Sequence, residues 1–103
     1  MSVFMAVEDL EGEPLIDVFE IEKIFRKFSA VSGSCLRFVG ESADASFNAL
    51  QGPELVAELE AIPADGLDAV ERRELEKVLT VCRKHAGRKN EYVKFYGEAK
   101  SEE

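Results

Sequence analysis

The chain has no tryptophan, one histidine, two cysteines and three prolines, and each shortage removes a class of chemistry or architecture. Two cysteines, Cys35 and Cys82, cannot build the multi-bridge framework of a small secreted domain, and they lack metal-site spacing. They are expected to be reduced and packed as small apolar residues. A single histidine, His85, leaves no ligand pair, and no serine or cysteine stands in a G-x-S-x-G setting that would couple to it. Its place in the last turn of a helix, beside Arg83 and Lys84, reads as a surface position where a cation complements the helix dipole. The glycines are dispersed single breakers. Neither G-x-G-x-x-G nor G-x-x-x-x-G-K-[ST] occurs, so no phosphate-cradling loop is expected. No apolar run approaches the roughly 20 residues that cross a bilayer, and the opening MSVFMAVEDLEGE lacks a basic segment followed by an apolar one. Membrane insertion and export are therefore not expected, and a cytoplasmic location is. Metal, cofactor and catalytic residues are all expected to be absent.

What is present is a chain of 103 residues, 46% hydrophobic and 33% charged, the size and balance of one small globular domain over 1–103. Its net charge of −8 is unevenly spread. Acids dominate 1–24 and 41–70, and bases dominate 71–100. Glu8, Asp9, Glu11, Glu13 and Asp17 are crowded but do not follow the alternation of a calcium loop. The basic run Arg83 to Lys89, followed by Tyr92, Lys94 and Tyr96, has the ingredients for stacking bases. The acidic remainder repels phosphate backbones, so nucleic acid is not an expected partner.

Turn residues divide the chain into seven segments. Ser2 to Glu8 reads as a buried strand and Asp9 to Pro14 as an acidic turn. Asp17 and Glu20 form a capping-box pattern, with Ile16 and Ile21 as a hydrophobic staple. Ile21, Ile24, Phe25, Phe28 and Val31 then fall on one helical stripe that predicts a helix ending at Gly33. Ser34 to Gly40 and Ser46 to Leu50 read as two strands of a hairpin joined by Glu41 to Ala45, with Asn48 satisfying backbone groups in the following turn. Gly52-Pro53 opens a second helix with Leu55, Val56, Leu59 and Ile62 on its apolar face. Asp68 and Glu71 make another capping box, starting a long helix striped by Leu75, Val78, Leu79, Cys82 and Ala86 and stopped by Gly87. Glu91 to Gly97 alternates as a final strand. The order β-α-β-β-α-α-β predicts an α+β fold, a single-layer and mostly antiparallel sheet with helices on one face. Merging the last two helices into one crossover would give the ferredoxin-like plan, with the first and last strands side by side.

Strand alternation separates Val93 and Phe95 from Tyr92, Lys94 and Tyr96, which places two tyrosines and a lysine on the outer sheet face. Tyrosine gives a large contact area with a polar tip, a combination enriched at interfaces. Glu8, Asp9, Glu11 and Glu13, with Glu41 and Asp44, supply an acidic surface. The matching segments Leu36-Arg37-Phe38, Phe47-Asn48-Ala49-Leu50-Gln51 and Phe95-Tyr96-Gly97-Glu98 span about the last two-thirds of the chain. Over them it resembles small uncharacterised bacterial proteins with an LRF strand, an F-N-x-L-Q element and a terminal F-x-G-[DE] strand. That group carries no activity to transfer. By analogy with other compact acidic bacterial proteins, an immunity-like role is the expectation. The module would be non-enzymatic and would engage a basic protein through Glu8, Asp9, Glu11, Glu13, Tyr92, Lys94 and Tyr96. The alternative is a self-associating structural subunit, a homodimer joined through the first and last strands.

Overall fold

A computed structural model describes residues 3–30, 33, 35–39 and 44–97. Its centre is a pair of seven-residue strands, β1 (Val3–Asp9) and β4 (Glu91–Gly97), antiparallel from Val3 opposite Gly97 to Asp9 opposite Glu91. Two three-residue strands flank them. β2 (Phe19–Ile21) pairs with β1 and β3 (Ala45–Phe47) with β4, giving the order β2-β1-β4-β3 with every neighbour antiparallel. Two α-helices, α1 (Gly52–Glu60) and α2 (Ala69–His85), pack with two 3-10 segments over one face of this sheet. The α+β class and the antiparallel sheet are as the segment pattern predicts. No described helix is long and apolar enough to cross a membrane.

The pattern from Asp17 to Gly33 does not become an α-helix. Phe19, Glu20 and Ile21 pair with Met5, Phe4 and Val3 instead, and only Ile24–Ala30 coils, as a 3-10 helix. The rich aromatic and β-branched content of VFEI suits a strand edge, and a 3-10 turn still buries Ile24, Phe25 and Phe28. Its start is capped from a distance. The Glu74 carboxylate on α2 accepts the backbone N–H groups of Glu22, Lys23 and Ile24, each at 2.9 Å. Val31 lies outside the described residues.

The strand expected over Ser34 to Gly40 is a second correction. Leu36–Phe38 forms a short 3-10 helix, because the backbone donors of Cys35 and Leu36 turn to the buried Glu58 carboxylate at 3.2 and 2.8 Å rather than to a neighbouring strand. Ser34 and Gly40 are outside the described residues. With no partner there, β3 pairs with β4 and the expected hairpin is not made. Asn48 to Gln51 form a turn in which the Asn48 side chain accepts from the N–H groups of Leu50 and Gln51. The ferredoxin-like plan fails for the same reason. It requires the second and third strands to pair with each other, with the third beside the first, whereas β2 pairs with β1 and β3 with β4. The antiparallel sheet and the adjacency of first and last strands are the parts of it that are realised.

The rest of the helical reading matches. Asp68 accepts from the Glu71 N–H at 2.8 Å, and Glu71 accepts from the Asp68 N–H at 2.9 Å, a complete capping box. Gly87 ends α2 with φ of 90°. The core joins Val3, Met5 and Val7 of β1 to Phe28, Leu55, Leu59, Val78, Val93 and Phe95. Phe95 lies at its middle, edge-on to both Phe28 and Phe47 with ring centroids 6.2 Å apart, a geometry that matches positive ring edges to negative faces.

Gly52 sits at the first turn of α1 directly against the backbone of Gly87, where a Cβ would overlap the Gly87 nitrogen. Alanine normally favours a helix over glycine by about 0.5–1 kcal/mol. Here the sign reverses: Gly52→Ala is expected to lower unfolding stability by about 1–3 kcal/mol because two backbones must part. The urea midpoint checks this, and a rise would show that the contact yields freely.

Candidate functional site

The sheet face away from the helices carries Phe4, Ala6 and Glu8 of β1, with Tyr92, Lys94 and Tyr96 of β4 opposite them. This is the division that strand alternation predicts. The residues are not left as a bare apolar surface. Glu8 bridges its neighbours: one carboxylate oxygen is 2.7 Å from Lys94 Nζ and the other accepts the Tyr96 hydroxyl at 2.8 Å. Phe4, Tyr92 and Tyr96 are half-buried, and Ala6 is 1% exposed, so the larger side chains close over the sheet.

These partners shift both acids in opposite directions. The Lys94 and Tyr96 hydrogen bonds hold the Glu8 carboxyl below its ordinary value. Burial, then the hydrogen bond to Glu8, pushes the Tyr96 phenol up to about 12. The Glu8 contribution to stability is therefore present above the ordinary carboxylate range and is lost as pH falls through its folded value. The Tyr96 contribution is present below about pH 10 and is lost as pH rises through the folded value.

At the end of this face β1 runs into the acidic turn. Asp9 turns inward: its Oδ1 accepts the N–H groups of Glu11 at 2.9 Å and Glu13 at 3.0 Å. Gly12 supplies φ of 84°, and Pro14 bridges back to Glu8. With Leu15 N–H also bonded to Val7 O at 2.8 Å, the turn is a braced projection. It holds Glu11 and Glu13 exposed, with no side-chain partner among the described residues. Beside them, Leu10 is 63% exposed. Glu8, Asp9, Leu10, Gly12, Tyr92 and Lys94 line a shallow depression of about 310 Å³.

The structure thus places Glu8, Tyr92, Lys94 and Tyr96 along one face and Asp9, Glu11 and Glu13 in the turn that continues from β1, in different states. Glu8, Lys94 and Tyr96 bind one another, Asp9 shapes the turn, Tyr92 is half-buried, and Glu11 and Glu13 are available. Asp44 lies at the other end of the face near Gly97, and Glu41 is outside the described residues.

Two groups were missed or misread in the sequence. His85 is buried, 7% exposed, with Nδ1 2.7 Å from Glu91 Oε1, which corrects its reading as a surface residue. The signal was there, since His85 continues the buried series Glu71, Val78, Cys82 at spacings of seven, four and three. Cys82 in that series is a free core thiol, as its expected packing has it, pushed up to about 12 by burial alone, and so protonated and unreactive near neutrality. The second group joins Cys35 Sγ to carboxylate oxygens of Glu54 and Glu58, all within 4.8 Å of one another. A thiolate and two carboxylates could ligate a divalent cation such as zinc. The Glu58 oxygens, however, already accept from the Cys35 and Leu36 backbone, which accounts for the carboxylate as a cap. No spacing rule links residues 35, 54 and 58 in advance.

No family model, curated protein or solved structure matches this chain.

In a Tyr92→Phe background, Glu8→Gln is expected to move phenolate formation at Tyr96 to lower pH, read by ultraviolet absorbance. Its stability deficit against the parent should be largest near neutrality and close in acid. An unmoved Tyr96 titration would break the assigned coupling.

Proposed function

We propose that the chain is a non-enzymatic protein-binding module that presents its acidic turn to a basic protein. The observation that carries this reading is the braced Asp9–Pro14 projection. It spends one acid, Asp9, on its own geometry and leaves Glu11 and Glu13 without a side-chain partner among the described residues, beside an exposed leucine. A surface held in one shape loses little conformational entropy on docking. Clustered acids raise the encounter rate with a basic surface and set specificity more than they add raw affinity. Leu10 and the neighbouring Tyr92 supply the apolar contact that acids lack. Neutralising a basic toxin, the immunity-like role, fits such a module and a cytoplasmic setting.

Self-association through the outer sheet face is the second reading. It is favoured by the absence of any described helix over Phe4, Tyr92 and Tyr96. The Glu8–Lys94–Tyr96 network weighs against it, because the polar groups there already satisfy one another.

The two separate cleanly. Immobilised chain is expected to retain a basic protein from lysate that leaves at moderate salt, and Glu11→Lys/Glu13→Lys should abolish that retention while Tyr96→Phe preserves it. A retained protein indifferent to salt and to the double reversal would remove the acidic turn from the mechanism.

A further inference from the structure

α2 carries more apolar surface than the core covers. Its buried side follows Val78, Cys82 and His85, while Leu75 and Leu79 lie only half-buried at the margin. Together with Ala64 and Leu67 from the α1–α2 connection they floor an open groove of about 700 Å³. Glu76 also lines this groove, and so do Arg72 and Arg73, which leaves two bases against one acid. Both arginines are exposed, and neither has an ion pair or side-chain hydrogen bond among the described residues. In a chain of net charge −8, an apolar floor beside two uncommitted guanidinium groups calls for an acidic, apolar occupant.

The same chain displays one. Leu10, Leu15 and Val18 are 63%, 40% and 53% exposed, three of the six large apolar residues left open to solvent among those described. They alternate with Glu11, Glu13 and Asp17, all exposed and without side-chain partners among the described residues. The first half of this segment is the braced turn, so it presents its leucines in a fixed frame.

We propose that the groove on α2 receives the Leu10–Val18 segment of a second copy of this chain, with Glu11, Glu13 and Asp17 set against Arg72 and Arg73. This rests on the reading of the acidic turn as a docking element, and it names that element's basic counterpart as another copy. The contact joins two different patches: made reciprocally, each segment filling the other's groove, it gives a two-fold isologous pair, and repeated head to tail it gives a heterologous ring or open series of copies. Net repulsion between copies opposes it at low ionic strength. At physiological salt the Debye length is about 8 Å, which screens the overall charge while leaving contacts at hydrogen-bond range effective.

Sedimentation and light scattering over a concentration series at physiological salt test the proposal on the full chain. The wild type is expected to exceed monomer mass as concentration rises, and to weaken in high salt. Arg72→Glu/Arg73→Glu and Glu11→Arg/Glu13→Arg should each weaken association by about tenfold or more, with circular dichroism reporting an unchanged fold. An equimolar mixture of the two variants should regain it, because the reversed patches complement each other. A wild type at monomer mass throughout, or association indifferent to both reversals and to mixing, overturns the proposal. If the wild type stays monomeric yet retains a basic protein through Glu11 and Glu13, self-docking falls and the binding function stands. If the turn reversal alters neither self-association nor retention, both fall.

Discussion

The pairing of the first described strand with the last one carries the architecture. Val3 opposite Gly97 and Asp9 opposite Glu91 tie together segments separated by nearly the whole chain, and everything between must fit the closed loop they make. The pairing sets both faces at once, because a register shift of one residue would exchange them. It puts Met5 and Val7 with Phe95 and Val93 toward the helices, and Glu8 with Lys94 and Tyr96 away from them. Such long-range closure is entropically costly, so its stability must come from the apolar face it completes. Phe95, in edge contact with aromatic rings from the first 3-10 segment and from β3, is where that face is densest.

Carboxylates do a second kind of structural work. Glu74 and Glu58 each reach from an α-helix to the backbone of an irregular stretch, taking N–H groups that would otherwise be unsatisfied beside the core. Lys23 pairs with Asp68, and Lys77 lies over the Phe19 ring at 4.3 Å, so β2 and the segment after it are fastened to α2 from several directions. An acidic composition therefore serves two ends. Some acids are internal caps, and others, among them the exposed Glu11, Glu13 and Asp17, give the molecule an acidic end. The exposed bases of α2 give it the opposite polarity elsewhere. This asymmetry underlies both the binding role and the self-docking argued for it.

Much of the fold was legible from local pattern. The capping box at Asp68 and Glu71, the Gly-Pro start of α1, the glycine stop after α2 and the alternation of Glu91 to Gly97 are each encoded within a few residues. So was the division of Tyr92, Lys94 and Tyr96 from Val93 and Phe95. The site residues Glu8, Asp9, Glu11 and Glu13 could be picked out as an acidic turn. That Asp9 is consumed by the turn, and that Glu8 is consumed by Lys94 and Tyr96, follows only from strand register, which composition does not contain.

Where local signals were ambiguous, tertiary contacts decided. The Asp17–Glu20 capping box and the stripe after it favour a helix, but the edge of β1 offered Phe19, Glu20 and Ile21 a ladder of hydrogen bonds. Glu74, some 50 residues away in the chain, then supplied the cap for the shorter coil that remained. Leu36 to Phe38 had strand-forming side chains and no strand to pair with, so Glu58 took their donors. His85 lay on a stripe that local charge made look exposed. For apolar side chains such as Ile24, Phe28 and Leu36 the sequence determined that they must be buried, since their burial depends on the side chain itself. Which backbone conformation carried them there was decided by the structure, since hydrogen bonds can be satisfied by any donor or acceptor that the rest of the fold brings near.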